Sequence, residues 1–112
     1  MARGLLLSAP PYEVEAALKH LGADLRTARL RRNITLAEVA ERVGASRGVI
    51  AEAEHGKPTT SAAVYAALFW AYGFTDRLAG SADPASDKEG IRLDSGHARR
   101  RARMPPALDD DF

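Results

Sequence analysis

The sequence predicts an all-α protein with a compact domain of four to five helices. Apolar residues recur at steps of three and four along residues 12–72. Capping residues and glycines divide this pattern into separate helices. A chain of 112 residues supports one domain with a short appendage. We therefore expect an N-terminal arm over residues 1–11, a helical domain over 12–80 and a flexible charged tail over 81–112.

The first predicted helix is long and begins at Tyr12, directly after Pro11. Proline suits the start of a helix because it has no N–H to leave unpaired. Asn33 is a suitable stop, since asparagine tolerates left-handed backbone angles. The apolar face of this helix consists of Val14, Leu18, Leu21, Leu25 and Ala28.

Two short helices follow and meet at a tight turn. Thr35 and Glu38 have the spacing of a capping box at the start of the first one. Gly44 is placed where a helix ends, and Ser46 is placed to cap the next one, which ends at His55. The apolar face of the first short helix is Leu36, Val39, Ala40 and Val43. This spacing is typical of a helix-turn-helix, in which the second helix enters the DNA major groove.

The remaining pattern predicts a fourth helix from Ser61 to Tyr72 and one further turn over residues 75–79. Beyond Gly80 the chain is rich in Asp, Pro, Ser, Gly and Arg and shows little periodicity. Residues 91–93 there have the composition of a short strand.

Composition excludes several classes of function. The chain has no cysteine, and its formal net charge is only +1, so a DNA-binding face requires local clustering of charge. The apolar run of residues 5–7 is too short for a signal peptide or a membrane span, and we expect a cytoplasmic protein with no membrane partner. His20, His55 and His97 are scattered. We therefore expect no enzyme activity, no metal site and no cofactor.

The sequence resembles the lambda-repressor/Cro (XRE) type of DNA-binding domain over about residues 20–80. The residues that carry the resemblance are 21–29, 34–40, 44–47, Ile50 and 54–57. The resemblance implies a lambda-repressor-like fold and double-stranded DNA as the partner. It also implies a structural ion pair between Arg29 and Glu54, the alternative being two independent surface charges.

The resemblance further implies which residues read bases. These are Arg47, Gly48, Val49 and Glu52. Arginine at the first position can bond guanine O6 and N7 together. Gly48 would permit close approach to the sugar-phosphate backbone, and Val49 would touch a thymine methyl. Glu52 would accept a hydrogen bond from cytosine, the alternative being a solvated carboxylate.

Thr35, Ser46, His55 and Lys57 match positions that meet phosphates in this family. Leu36 departs from the pattern, because the family often has a glutamine there that bonds a phosphate. Affinity would then depend more on neighbouring basic residues, although these equally suit an ordinary solvated surface. They are Arg31, Arg32 and Arg42.

Five of the seven aromatic residues fall between residues 65 and 74. They are Tyr65, Phe69, Trp70, Tyr72 and Phe74. We expect them to form part of a homodimer interface, which would place two recognition helices on a palindromic operator. The alternative is that they complete the core of the monomer.

The layout of the whole chain resembles the HipB-like antitoxins, which repress their own operon and neutralise a HipA-like serine/threonine kinase toxin. The residues that carry this resemblance are 11–19, 65–73, 82–84 and the charged tail. The tail contains an arginine cluster over 99–103, suited to DNA phosphates, to an acidic partner or simply to solvent. The alternatives are a stand-alone XRE-type regulator without a toxin partner and a protein-interaction adaptor.

Overall fold

The computed structural model describes residues 8–102, which divide into two compact units at residue 78, namely 8–78 and 79–102. Its helices are α1 (Tyr12–Arg31), α2 (Leu36–Val43), α3 (Arg47–Glu54), α4 (Ala62–Ala71), α5 (Thr75–Ala79) and α6 (Lys88–Ala102). A 3-10 turn covers Pro84–Ser86. The predicted all-α fold is confirmed, since residues 8–102 contain no strand. No helix in that range combines the length and apolar character needed to cross a membrane.

The first unit has one hydrophobic core, to which α1, α2, α3 and α4 contribute. In this unit α3 packs against α1, α2 and α4, so it is the central helix of the arrangement. The most deeply buried large side chains are Leu25, Val39, Ile50 and Leu68, one from each of these helices. The rest of the buried apolar set is Ala28, Ala40, Ala53, Tyr65 and Tyr72.

Local backbone chemistry defines the ends of the short helices. The Thr35 hydroxyl accepts from the Glu38 N–H at 3.1 Å, and the Glu38 carboxylate accepts from the Thr35 N–H at 2.8 Å. The predicted capping box is therefore confirmed. Asn33 and Gly44 both have positive φ, 55° and 77°, where α1 and α2 end. The turn between α2 and α3 thus depends on a left-handed residue, which glycine adopts without strain.

Gly22 sets the distance between α1 and α3. A Cβ atom at this position would lie 2.5 Å from the carbonyl oxygen of Ala53 and 2.6 Å from that of Glu54. Real Cβ atoms do not approach oxygen so closely, so only glycine allows the two backbones to pack this tightly. The local sequence pattern around Gly22 gives no sign of this crossing.

The second unit differs from the sequence-based expectations in two respects. The predicted short strand over residues 91–93 is wrong, because these residues lie within α6. The described part of the predicted tail also contains more regular structure than expected. Asp87 caps the helix, since its carboxylate accepts from the Gly90 N–H at 2.9 Å. Glu89 lies in the first turn and three arginines in the last, a charge distribution that favours the helix dipole. These local effects stabilise a helix that buries no side chain.

Candidate nucleic-acid interface

The first turn of α3 is exposed, whereas its other side lies in the core. Ser46 caps the helix by accepting from the Val49 N–H at 3.1 Å. Arg47 and Gly48 are exposed, and Val49 is half-buried. Ile50, on the opposite side, is fully buried. The helix is thus anchored from behind while its leading edge faces outward.

The side chains at this edge are available for contact. The Arg47 guanidinium makes no hydrogen bond or ion pair with any residue from 8 to 102. A Cβ atom on Gly48 would meet only the Ser46 hydroxyl, at 3.9 Å. The glycine is therefore not required by packing, in contrast to Gly22.

Glu52, His55 and Lys57, three predicted DNA-contacting residues at the end of α3 and just after it, are in contact with protein groups. Lys57 Nζ lies 3.7 Å from a carboxylate oxygen of Glu52, and both side chains are about half exposed. The His55 ring approaches the carbonyl oxygen of Ala51 through Nδ1 at 2.8 Å. The exposed ion pair between Lys57 and Glu52 is weak, so each side chain can easily exchange it for another partner. The structure therefore places a cation and a carboxylate side by side at the end of α3.

Thr35 occupies the exposed N-terminus of α2. Because its hydroxyl oxygen accepts the Glu38 N–H, its own proton remains free to be donated. Hydrogen bonding to Thr35 lowers the pKa of the Glu38 carboxyl, which stays charged at neutral pH. Ser46 is arranged in the same way at the N-terminus of α3. Both hydroxyls are thus oriented by the helices that they cap.

Arg29 and Glu54 form a buried ion pair with two hydrogen bonds. Arg29 donates from Nε to Glu54 Oε2 at 2.7 Å and from Nη2 to Oε1 at 3.1 Å. Its Nη1 donates to the carbonyl oxygen of Ile34 at 2.9 Å. The Glu54 carboxylate raises the pKa of Arg29 above its ordinary value. One guanidinium therefore connects α1, the turn before α2 and the last residue of α3.

Arg32, which the sequence suggested as an auxiliary phosphate contact, is bound to protein groups in the structure. It donates to the carbonyl oxygens of Ala28 at 2.9 Å and Tyr72 at 3.0 Å. Its guanidinium also lies 5.2 Å from the centre of the Phe74 ring. Arg32 therefore connects the end of α1 to the end of α4. Arg31 and Arg42 are exposed.

The aromatic cluster mainly completes the core, which corrects the expectation of a dimer interface for two of its members. Tyr65 and Tyr72 are buried within the monomer, and burial raises the pKa of both phenols. Phe69 and Phe74 are half-buried and pack edge to face at 6.3 Å. Trp70 is 60% exposed. The sequence did not separate the buried aromatic residues from the exposed one because α4 is apolar around its whole circumference and does not show which side faces the core.

The arginine cluster lies at the end of α6. Arg99 and Arg100 are exposed, and Arg101 approaches Asp94 at 3.8 Å. Arg103 and the acidic residues 109–111 lie outside the described residues, as do residues 1–7 of the predicted arm.

Comparison with protein families identifies the family of this domain. Residues 20–80 match the family model described as a helix-turn-helix domain. This range begins near the middle of α1 and ends just after α5, so it includes α2 and α3 with the predicted base and phosphate contacts, and it excludes the arginine cluster of α6. No match was found among curated proteins or among solved structures.

Proposed function

Because the chain belongs to the helix-turn-helix domain family, we propose that it is a sequence-specific DNA-binding transcriptional repressor. The observation that carries the proposal is the division of α3 into two sides. Arg47 and Gly48 are exposed at its first turn, whereas Ile50 and Ala53 are buried behind it. A recognition helix needs this division, because its N-terminal residues must reach base edges while the domain holds it in place.

Arg47 is the main base-reading residue in this proposal. Its guanidinium is exposed and has no partner among the described side chains, so no protein contact has to be broken on binding. A bidentate pair with guanine contributes about 1–3 kcal/mol of discrimination against the wrong base. Val49 and Glu52 supply neighbouring contacts on the same helix.

Phosphate contacts come from the groups around α3. The hydroxyls of Thr35 and Ser46 can each donate to a phosphate from a helix N-terminus, where the helix dipole also favours an anion. Lys57 can exchange its weak pairing with Glu52 for a phosphate, which would release Glu52 toward a base. Because the Ala51 carbonyl oxygen accepts from His55 Nδ1, Nε2 of this ring can donate to a phosphate only in the doubly protonated imidazolium form.

DNA binding is tested by titrating a labelled promoter fragment with the protein at several salt concentrations. For a repressor, the logarithm of the DNA-binding constant falls linearly with the logarithm of the salt concentration, with a slope of about −0.9 for each phosphate contacted. Arg47→Ala should lose about 1–3 kcal/mol at one operator base pair and relax the preference there. Arg26→Ala, an exposed arginine on α1, is the matched control and should change neither property.

A titration without binding at low ionic strength would contradict the proposal and favour an adaptor. An equal loss for Arg47→Ala on all sequences would make Arg47 a phosphate contact.

We place the homodimer contact at Trp70, which is exposed beside the half-buried Phe69. Aromatic side chains, tryptophan among them, are enriched at protein–protein interfaces relative to the rest of the surface. Trp70→Ser should weaken a dimer, whereas Leu30→Ser, which removes another half-exposed apolar residue, should not. Light scattering that shows a monomer at high micromolar concentration would contradict the dimer.

The finer proposal is that the repressor is the antitoxin of a HipBA-like pair and neutralises a HipA-like kinase. Its supports are the resemblance in sequence and α6, which exposes Ile91 and Leu93 and buries no side chain. An unburied helix with exposed apolar residues is a suitable surface for a protein partner. Co-purification of a kinase from the native host, identified by mass spectrometry, tests this step. DNA binding without any kinase partner would leave a stand-alone XRE-type regulator.

A further inference from the structure

An open cleft in the first unit is rich in arginine. It has a volume of about 490 Å³ and lies between the second half of α1 and the residues that follow α4. Its lining consists of Asp24, Thr27, Ala28, Arg31, Arg32, Phe74 and Arg77. A cleft of this size is large enough for a small organic ligand.

The three guanidiniums of the cleft are held in different ways. Arg32 is fixed by its two carbonyl acceptors, at the ends of α1 and α4. Arg77 lies over the Phe74 ring at 4.1 Å from its centre. Arg31 has no hydrogen bond or ion pair in the described part of the chain. The donors of Arg31 and Arg77 are therefore open to a ligand, while Arg32 supplies mainly charge.

The cleft carries uncompensated positive charge. Among the described residues of its lining Asp24 is the one carboxylate, and that carboxylate already lies 3.1 Å from His20 Nε2. Three arginines against one aspartate leave two net positive charges around one volume. Like charges held close together repel each other, and an anion of matching charge relieves this repulsion.

We propose that this cleft binds a small molecule through a phosphate group. A phosphate monoester carries a charge of about −1.5 to −2 at neutral pH, which matches the net charge of the lining. Guanidiniums bind phosphate oxygens through paired hydrogen bonds, which Arg31 and Arg77 can both provide. The Thr27 hydroxyl donates to the carbonyl oxygen of Ala23, so it offers an acceptor and no donor. The phosphate is thus held by arginines alone.

The test uses inorganic pyrophosphate as the probe, with the full chain and at constant ionic strength. Amide chemical shifts are followed by NMR during the titration. We expect saturable shifts confined to the end of α1 and to residues 74–77. Arg31→Ala and Arg77→Ala should each weaken binding about tenfold, the loss expected for a hydrogen bond to a charged group. Arg26→Ala keeps the cleft intact and should bind pyrophosphate as the wild type does.

Two results would overturn the proposal. The first is the absence of saturation, or an equal loss in Arg26→Ala, because either would indicate non-specific attraction to positive charge. The second comes from DNA titration. If Arg31→Ala and Arg77→Ala each reduce the salt dependence of DNA binding by about one phosphate contact, the arginines bind the DNA backbone and not a small molecule. Arg77→Lys distinguishes the contribution of the positive charge from that of the paired hydrogen bonds, since lysine keeps the charge and loses the pairing.

Discussion

Gly22 on α1 lies so close to Ala53 on α3 that a methyl group on the glycine would be 2.5 Å from the alanine carbonyl oxygen. The added carbon would be bonded directly to the backbone of α1, and the oxygen belongs to the backbone of α3. Neither could move away without shifting a whole helix. Glu54, the next residue of α3, then reaches Arg29 two turns further along α1. The close crossing and the ion pair together position the recognition helix.

Gly22→Ala should therefore destabilise the domain. We expect a loss of about 1–3 kcal/mol in the free energy of unfolding, as for other overpacked positions. Alanine favours a helix interior by about 1 kcal/mol over glycine, so the steric cost is partly offset. Urea unfolding followed by circular dichroism measures the difference. An unchanged or higher stability would show that α1 and α3 do not cross as closely as described.

Breaking the pair between Arg29 and Glu54 should have a larger effect. Both side chains are less than a tenth exposed, so Arg29→Met leaves a buried carboxylate without its partner. Such a change costs about 3–5 kcal/mol. The double variant Arg29→Met with Glu54→Leu removes both charges and should recover most of that loss.

The matched control is the exposed pair between Lys57 and Glu52, at 3.7 Å. Glu52→Gln should change the unfolding free energy by only about 0–1 kcal/mol. Similar losses for the buried and the exposed pair in thermal unfolding would contradict the structural role of Arg29.

The capping box makes stability depend on pH. The pKa of Glu38 is lower in the folded protein than in the unfolded chain, mainly because its carboxylate accepts from the Thr35 N–H. The unfolded chain therefore takes up the proton first on acidification. The contribution of Glu38 is complete above the ordinary glutamate pKa of about 4.3 and is lost as the pH falls through the lower folded value.

Glu38→Gln isolates this effect, because glutamine keeps an acceptor for the Thr35 N–H and does not titrate. The difference in stability between wild type and variant should be constant near neutral pH and should shrink below pH ~4.3. Unfolding midpoints across this range give the difference. A difference independent of pH would mean that the capping box does not stabilise the charged carboxylate.

Much of the first unit follows from local sequence signals. The capping box at Thr35 and the left-handed turn at Gly44 were predicted because their chemistry lies within a few neighbouring residues. Arg29 and Glu54 are 25 residues apart, and only the family resemblance suggested that they pair. Gly22 had no signal in the sequence alone, because a close crossing depends on where another helix lies.

The second unit and the aromatic cluster show where local signals mislead. α6 has no apolar stripe, so the periodicity that identifies a packed helix is missing, yet Asp87 and the charge distribution stabilise it. In α4 apolar residues lie on every side, so the sequence did not show that Tyr65 and the C-cap residue Tyr72 face inward while Trp70 faces solvent. Which side is buried was determined by packing against α2 and α3.

Gly48→Ala separates the stability of the domain from its function. The glycine lies within α3, and its added Cβ would meet nothing closer than the Ser46 hydroxyl at 3.9 Å. Alanine should therefore stabilise the helix by about 0.5–1 kcal/mol. If the bare backbone at Gly48 permits close approach to the DNA, the same variant should bind its operator more weakly. Ala51→Gly provides the opposite control within α3, since it should lower stability without adding bulk at the leading edge. A Gly48→Ala protein that is more stable and binds the operator as tightly as the wild type would remove Gly48 from the DNA contact.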